Sequence, residues 1–420
     1  MFKQYIKQAW RVLRENPVLS TITILGTALS IAMIMILVMT DRVRHGNFAP
    51  ENTRDRTLYV KSITVDSKEN GTNNSRLGMR TIKEVFLPLK TPEALYFYTG
   101  DRIGVRLPGG STDVSMYVEC TNGGNWRLFD YTFVAGSAFG EAEVKAGAKV
   151  AVITDKVARE FFESDDVVGK SFILNGEEEF RVVGVVRQPS NLMNYANGSI
   201  WIPYTSTMLL DPNDPSLTGS FRLVMLARNG KDMAKIREEV ATAEERFNAN
   251  EPNYTLSFRG QPDTYKQAIN RLSDNQDTRV KAYNRKQILL LLLFFLVPAI
   301  NLSLMTTSRM KQRASEIGVR RTYGASTMNI ANQVIWESLL YTVIGTVIGF
   351  VLSIGGFFML RKILFKGYSV EGMQLSVSDL MRPEIFLSVI IFCLLLNLIA
   401  SIVPAVKSSR SNIINNLYEA

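Results

Sequence analysis

Four stretches of this chain run for more than twenty residues without a charge: 18–39, 288–308, 338–360 and 385–406. At about 1.5 Å per residue, helices of these lengths reach roughly 30–35 Å, enough to cross a hydrocarbon core of about 30 Å. A buried helix of a water-soluble protein keeps an unbroken apolar run for only about 10–14 residues. Four such runs therefore predict four transmembrane helices. The first does not read as a cleaved signal peptide, whose apolar core spans only about 7–15 residues and ends at a small-x-small site. Here Thr40, Asp41 and Arg42 follow, so the block reads as a retained anchor.

Charge sets the orientation. Of the net charge of +9, residues 1–17 carry +3, residues 309–331 carry +4 and residues 405–420 carry +1. These segments flank apolar blocks on one membrane side, the pattern of a cytoplasmic face and not of a nucleic-acid groove. The bias is modest, because Arg42, Arg285, Lys286 and Arg382 are among the cations on the opposite flanks. An even number of spans keeps both termini cytoplasmic. The expected layout is an amphipathic helix (1–17), a first span (18–40), an extracytoplasmic domain (41–286), a second span (287–308) and a cytoplasmic loop (309–331). A third span (332–360), a short outer loop (361–384), a fourth span (385–406) and a cytoplasmic tail (407–420) complete it.

In residues 1–17, Phe2, Ile6, Trp10 and Leu13 recur at helical spacing, while Lys3, Lys7, Arg11 and Arg14 form a second stripe. That pattern predicts a helix lying in the membrane interface. The outer segment alternates β-rich runs such as TLYVKSITV, EEFRVVGVV and SIWIPYT with helical patterns near 156–162 and 231–247. The fold class is thus an α-helical membrane protein with four transmembrane helices plus an α+β extracytoplasmic domain inserted between the first and second helices.

Catalytic and metal-binding patterns are missing. A single histidine, His45, excludes chemistry that needs imidazole in combination with other ligands. Cys120 and Cys393 read as unpaired. Gly169-Lys170-Ser171 looks like the end of a phosphate-binding loop, but Ser164 stands where the first glycine is required, so the segment reads as a turn into a strand at 171–174. Asp165, Asp166, Glu177, Glu178 and Glu179 read as solvated charges.

The loop after the second block is the most specific segment. Residues 315–326 read SEIGVRRTYGAS, which resembles the signature of the MacB/FtsX-type ABC transporter permeases, close to REIGIRRALGAS. The block VVGKSFILNGEEEFRVVGVV, the amphipathic start and the PAVKSSRSNIINNLYEA tail are similar to that family too, although Ser408 and Asn412 depart from its usual Ala and Pro. The resemblance implies a MacB-like periplasmic core domain and a bacterial inner-membrane location. It also implies a separate cytoplasmic ABC ATPase subunit that binds the ATP, since this chain has no Walker motif and needs no cofactor of its own. A second permease subunit, in a homo- or heterodimer, is implied as well, with room for a periplasmic or outer-membrane partner.

Under this resemblance the chain is no enzyme. It couples ATP hydrolysis to conformational change of its outer domain, for export, extraction or mechanotransmission. Glu316, Ile317, Gly318, Val319, Arg320, Arg321, Gly324, Ala325 and Ser326 are then the expected contact with the ATPase: charged and apolar side chains dock, and the glycines allow close backbone approach. Gly345 and Gly349 form a G-x-x-x-G pair for helix packing or a dimer interface. Glu337 is expected to be structural or coupling, within reach of Arg309. The competing class is an ATP-independent signalling receptor whose outer domain binds a ligand.

Overall fold

The computed structural model describes residues 17–69, 71–271, 284–290 and 326–365 continuously, with scattered positions in 11–14, 282, 292–308, 319–324 and 387–395. The chain forms two compact units, one of Met1–Val43, Asn284–Lys366 and Leu375–Ala420, the other of Arg44–Tyr283 with Gly367–Gln374. The fourth apolar block, and residues 1–16 apart from Arg11 and Arg14, lie largely outside the described residues, whereas the second block is described at about half its positions, all of them helical.

Helix α1 (Pro17–His45) contains a segment, Ser20–His45, long and apolar enough to cross a membrane. It runs on past residue 40 through Asp41, Arg42 and Arg44. A helix satisfies its own backbone, so a few charges at its end, where side chains reach water, do not stop it. Ile22, Leu25, Leu29 and Met33 form an apolar stripe about half exposed, whereas Ala28, Ile31, Met35 and Met39 are buried. An outward apolar stripe suits lipid and reverses the arrangement of a helix on a water-soluble protein.

The unit that follows is α+β. Its strands are β1 (Thr57–Val60), β2 (Ile63–Ser67), β3 (Gly71–Leu77), β4 (Ala94–Arg106), β5 (Val114–Thr121), β6 (Phe133–Gly136) and β7 (Val150–Thr154). Then come β8 (Ser171–Leu174), β9 (Glu178–Val186), β10 (Ile200–Pro203), β11 (Thr218–Gly219), β12 (Arg222–Leu226), β13 (Tyr254–Ser257) and β14 (Asp263–Thr264). One sheet has the order β14-β1-β12-β4-β5-β10-β7-β9-β6, with β8 bridging β4 and β9; the other has the order β11-β3-β2-β13. Most neighbours are antiparallel, but β10 runs parallel to β5 and β7 parallel to β9.

Four helices of this unit matter here: α2 (Glu141–Ala146), α3 (Asp155–Phe161), α4 (Asp232–Asn250) and α5 (Tyr265–Asn270). Helix α4 buries Ile236, Val240, Ala243 and Phe247, a stripe at helical spacing, in one core together with Phe86 and Phe258. Helix α3, started by the Thr154 hydroxyl accepting from Val157 N at 3.3 Å, closes a second core around Ile153, Phe172 and Phe180. Helix α5 opens with a capping box in which Gln267 Oε1 accepts from Thr264 N at 2.9 Å.

Helix α6 (Thr327–Leu364) is 38 residues long and contains the second candidate span, Asn332–Leu364. It begins inside the expected cytoplasmic loop and carries Arg361 and Lys362 in its last turn, where cations oppose the negative end of the helix dipole.

Candidate functional site

The chain enters and leaves its α+β unit through buried charges. Glu51 and Arg54 sit in the polar segment ENTRDR, yet both side chains are 1% exposed and Arg54 Nε lies 2.7 Å from Glu51 Oε2. The other Glu51 oxygen accepts from the backbone N of Tyr195 at 2.7 Å and of Ala196 at 2.9 Å. Arg54 also donates to the carbonyls of Gly46 at 2.9 Å and Leu192 at 3.3 Å, and its guanidinium lies 4.3 Å from the centre of the Tyr265 ring. Asn194 Nδ2 donates to the Tyr265 hydroxyl at 2.7 Å. One residue past α5, Arg271 pairs with Asp263 of β14 at 2.7 Å, both side chains 2% exposed. The entering segment, the 192–196 loop and helix α5 therefore meet around the Glu51–Arg54 pair, and a second buried pair, Arg271–Asp263, ties the end of α5 to β14. Sequence reasoning missed all of them, because the residues that bury Arg54 lie far along the chain.

The expected coupling loop is described only in part. Val319 and Thr322 are helical, Tyr323 N donates to Val319 O at 3.2 Å, and Gly324 turns the chain with φ +90. Among the described residues nothing lies within 4 Å of a Cβ built at Gly324, so the left-handed backbone accounts for glycine there. Val319 and Tyr323 are exposed, at 48% and 88%. Ser326 directly precedes α6, a position that favours serine. Glu316, Ile317, Gly318, Arg320, Arg321 and Ala325 lie outside the described residues, as do Lys3, Lys7 and Trp10 of the interface helix; Arg11 and Arg14 are helical and exposed.

Gly345 and Gly349 face α1 of the same chain. A Cβ at Gly345 would sit 3.0 Å from the Thr27 side chain, and one at Gly349 would sit 2.6 Å from the Ala28 carbonyl oxygen. This is a close helix crossing within one protomer. Nearby hydroxyls join it: Ser20 Oγ is 3.2 Å from Tyr341 Oη, while Thr27 and Thr346 bond back to carbonyls four residues earlier. Glu337 is 5% exposed and accepts from Gln333 Nε2 at 3.2 Å, and Arg309 lies outside the described residues.

Two further carboxylates are buried in the α+β unit. Glu178, expected to be solvated, is 3% exposed; it takes Lys149 Nζ at 3.1 Å and Thr207 Oγ1 at 2.7 Å. The alternation of β9 turns it inward, where those donors replace water. Glu119 of β5 accepts from the Tyr96 hydroxyl, and burial pushes its carboxyl up to about 8 against the opposing pull of that bond and of Arg222. Cys120 is a buried free thiol. The Gly169-Lys170-Ser171 segment is a turn, with Gly169 at φ +90 and its N–H bonded to Val182 O at 2.8 Å. Among the described residues no cluster of His, Cys, Asp and Glu could hold a metal.

Residues 20–243 match the MacB-like periplasmic core domain, and residues 288–413 match the FtsX-like permease C-terminal domain. The chain belongs to the MacB/FtsX-like permease family. Over 367 residues it is 26% identical to the pyoverdine export ATP-binding/permease protein PvdT of Pseudomonas syringae pv. syringae (strain B728a), covering 83% of this chain and 51% of that protein. Over 368 residues it is 23% identical to the macrolide export ATP-binding/permease protein MacB of Escherichia coli (strain K12), covering 84% and 52%. The chain thus spans about half the length of the curated relatives it matches. Among solved structures, the periplasmic region of MacB from Actinobacillus actinomycetemcomitans is similar over 53% of this chain and 98% of that one, with a TM-score of 0.35 and 16% identity. The extracellular domain of YknZ, a noncanonic ABC-type transporter from Gram-positive bacteria, is similar over 48% and 99%, with a TM-score of 0.33 and 14% identity. As a member of this permease family the chain is membrane-embedded and carries a periplasmic-type α+β domain.

Proposed function

We propose that this chain is the transmembrane subunit of an ABC transporter. ATP hydrolysis by a partner ATPase in the cytoplasm changes the conformation of its periplasmic domain, for export, extraction or mechanical transmission. The observation that carries this reading is the FtsX-like match over 288–413, which encloses the basic loop and its SEIGVRRTYGAS wording. The curated relatives unite ATP-binding and permease functions in their names, and this chain aligns with about half of their length. In the proposed complex Glu316, Arg320 and Arg321 supply charged contacts to the ATPase, Ile317 and Val319 apolar ones, and Gly324 sets the turn into α6. Two permease subunits assemble in the inner membrane with both termini cytoplasmic. The receptor reading leaves the loop unexplained.

The test is co-purification. With its native membrane partners the chain is expected to bring down an ATPase, and Glu316→Arg combined with Arg320→Glu is expected to release it while the chain stays in the membrane. An ATPase retained by that double variant refutes the assignment of the loop.

A further inference from the structure

The α+β unit holds a cleft of about 1190 Å³ whose walls are strand β5, helix α3 and the segment 187–199. Strand β5 is paired along its whole length with β4, but β10 covers its other edge only from Val118 to Thr121. Residues Val114, Ser115, Met116 and Tyr117 therefore have no strand on that side among the described residues, and all four line the cleft. In a strand paired on one edge, alternate residues turn their N–H and C=O to the open side, a ready template for another strand. The uncovered stretch is long enough for about four residues of a guest, roughly 13 Å.

Charge selects the guest. Within the cleft wall Arg159 is committed to Asp155 at 3.0 Å and Lys156 to Glu160 at 3.9 Å. The exposed guanidinium groups of Arg102 and Arg187 line the same cleft and have no carboxylate partner among the described residues. Burial pushes the carboxyl of Glu119, also in the wall, up to about 8, so at neutral pH it is mostly protonated and offsets them little. Tyr195 is 5% exposed, lines the cleft, and has a hydroxyl without a hydrogen-bond partner among the described residues. A buried unmatched hydroxyl is costly unless something else supplies the bond.

We propose that this cleft binds an extended acidic polypeptide segment, which adds as a strand to residues 114–117 of β5 and places carboxylates against Arg102 and Arg187. Backbone pairing gives the hold, and the two guanidinium groups give the preference for acid. The inference goes beyond the transporter reading and does not depend on how energy reaches the domain.

The full chain in lipid nanodiscs is titrated with end-blocked ten-residue peptides alternating threonine with glutamate, glutamine or lysine, each fluorescently labelled. The glutamate peptide is expected to bind at least about tenfold tighter than the other two. Arg102→Gln and Arg187→Gln, both at exposed positions, each weaken it about tenfold, and together about 100-fold. Methylating alternate backbone nitrogens of the peptide abolishes binding, and the unmodified peptide slows hydrogen exchange within residues 114–117. Equal binding of the three peptides overturns the proposal. So does glutamate-peptide binding that survives N-methylation with no slowing at 114–117, because that is a charged surface and not an added strand.

Discussion

Replacing Glu51 by glutamine tests whether the buried charges at the entry of the α+β unit act as one tie. The substitution keeps shape and removes charge. One Glu51 oxygen faces Arg54 Nε at 2.7 Å, and the other faces the backbone N–H groups of Tyr195 and Ala196 at 2.7 and 2.9 Å. A glutamine has one oxygen and one NH₂, so either orientation sets a donor against a donor. The Arg54 cation would also keep only neutral acceptors, carbonyl oxygens and the Met193 sulfur, at 1% exposure. Breaking a buried ion pair from one side costs about 3–5 kcal/mol. That corresponds to a rise of about 10²-fold to several thousand-fold in the open population (~1.4 kcal/mol per decade). Hydrogen exchange in the intact chain at the amides of Tyr195 and Ala196 reads this opening directly, because their protons sit on the lost acceptor. Replacing both partners, Glu51→Leu with Arg54→Met, is expected to cost clearly less than the two single changes added together, since neither charge is then stranded. An exchange rise below tenfold in Glu51→Gln, or full additivity in the double variant, refutes the reasoning.

Glu119 predicts a pH dependence of stability. Folded, its carboxyl is pushed up to about 8, from an ordinary value of 4.5 in the unfolded chain, so the folded state holds the proton more tightly. Its stabilising contribution is complete below pH 4.5 and is withdrawn as pH rises towards 8, at about 1.4 kcal/mol per pH unit. Glu119→Gln should flatten that limb when thermal unfolding of the full chain is followed from pH 5 to 8, and an unchanged slope counts against the assignment. At the helix crossing, Gly349→Leu forces side-chain atoms into the Ala28 carbonyl, which a Cβ alone would approach to 2.6 Å. Overpacking of that kind costs about 1–3 kcal/mol, read as a lower unfolding temperature in detergent, whereas Gly355→Leu, with open space around its Cβ, should leave that temperature unchanged.

The two apolar helices and the runs that became β1, β2, β8, β9 and β10 were legible because their patterns are local. Charge-free length marks a span, and clustered β-branched residues mark a buried strand. Strand β4 was not, because Gly100, Asp101 and Gly104 interrupt its pattern in the manner of a turn; pairing with β5, and with β12 and β8 at its two ends, holds it extended. Strand β3, GTNNSRL, has almost no strand preference of its own and exists through its ladder to β2. Buried charges escape for a related reason. Glu178 and Arg54 look like solvated residues until partners from elsewhere, Thr207 for one and Leu192 and Tyr265 for the other, close over them. Of the expected coupling loop, the wording SEIGVRRTYGAS carried the family, while the conformational reason for Gly324 needed its backbone angle.

Under the proposed mechanism, what reaches the periplasmic unit depends on the stiffness of its two junctions. Helix α1 is continuous to His45, and Arg54 bonds the carbonyl of Gly46 just beyond its end, so the segment between them has little freedom to absorb a displacement. The same guanidinium rests on Tyr265 at the start of α5, whose far end is fixed by Arg271 to β14, and β14 pairs with β1 at the edge of the ten-stranded sheet. Within the α+β unit, a displacement arriving at Gly46 or at Arg271 is therefore delivered to that sheet through buried, directional bonds. Loosening one junction also loosens its hold on the other, because a single arginine serves both.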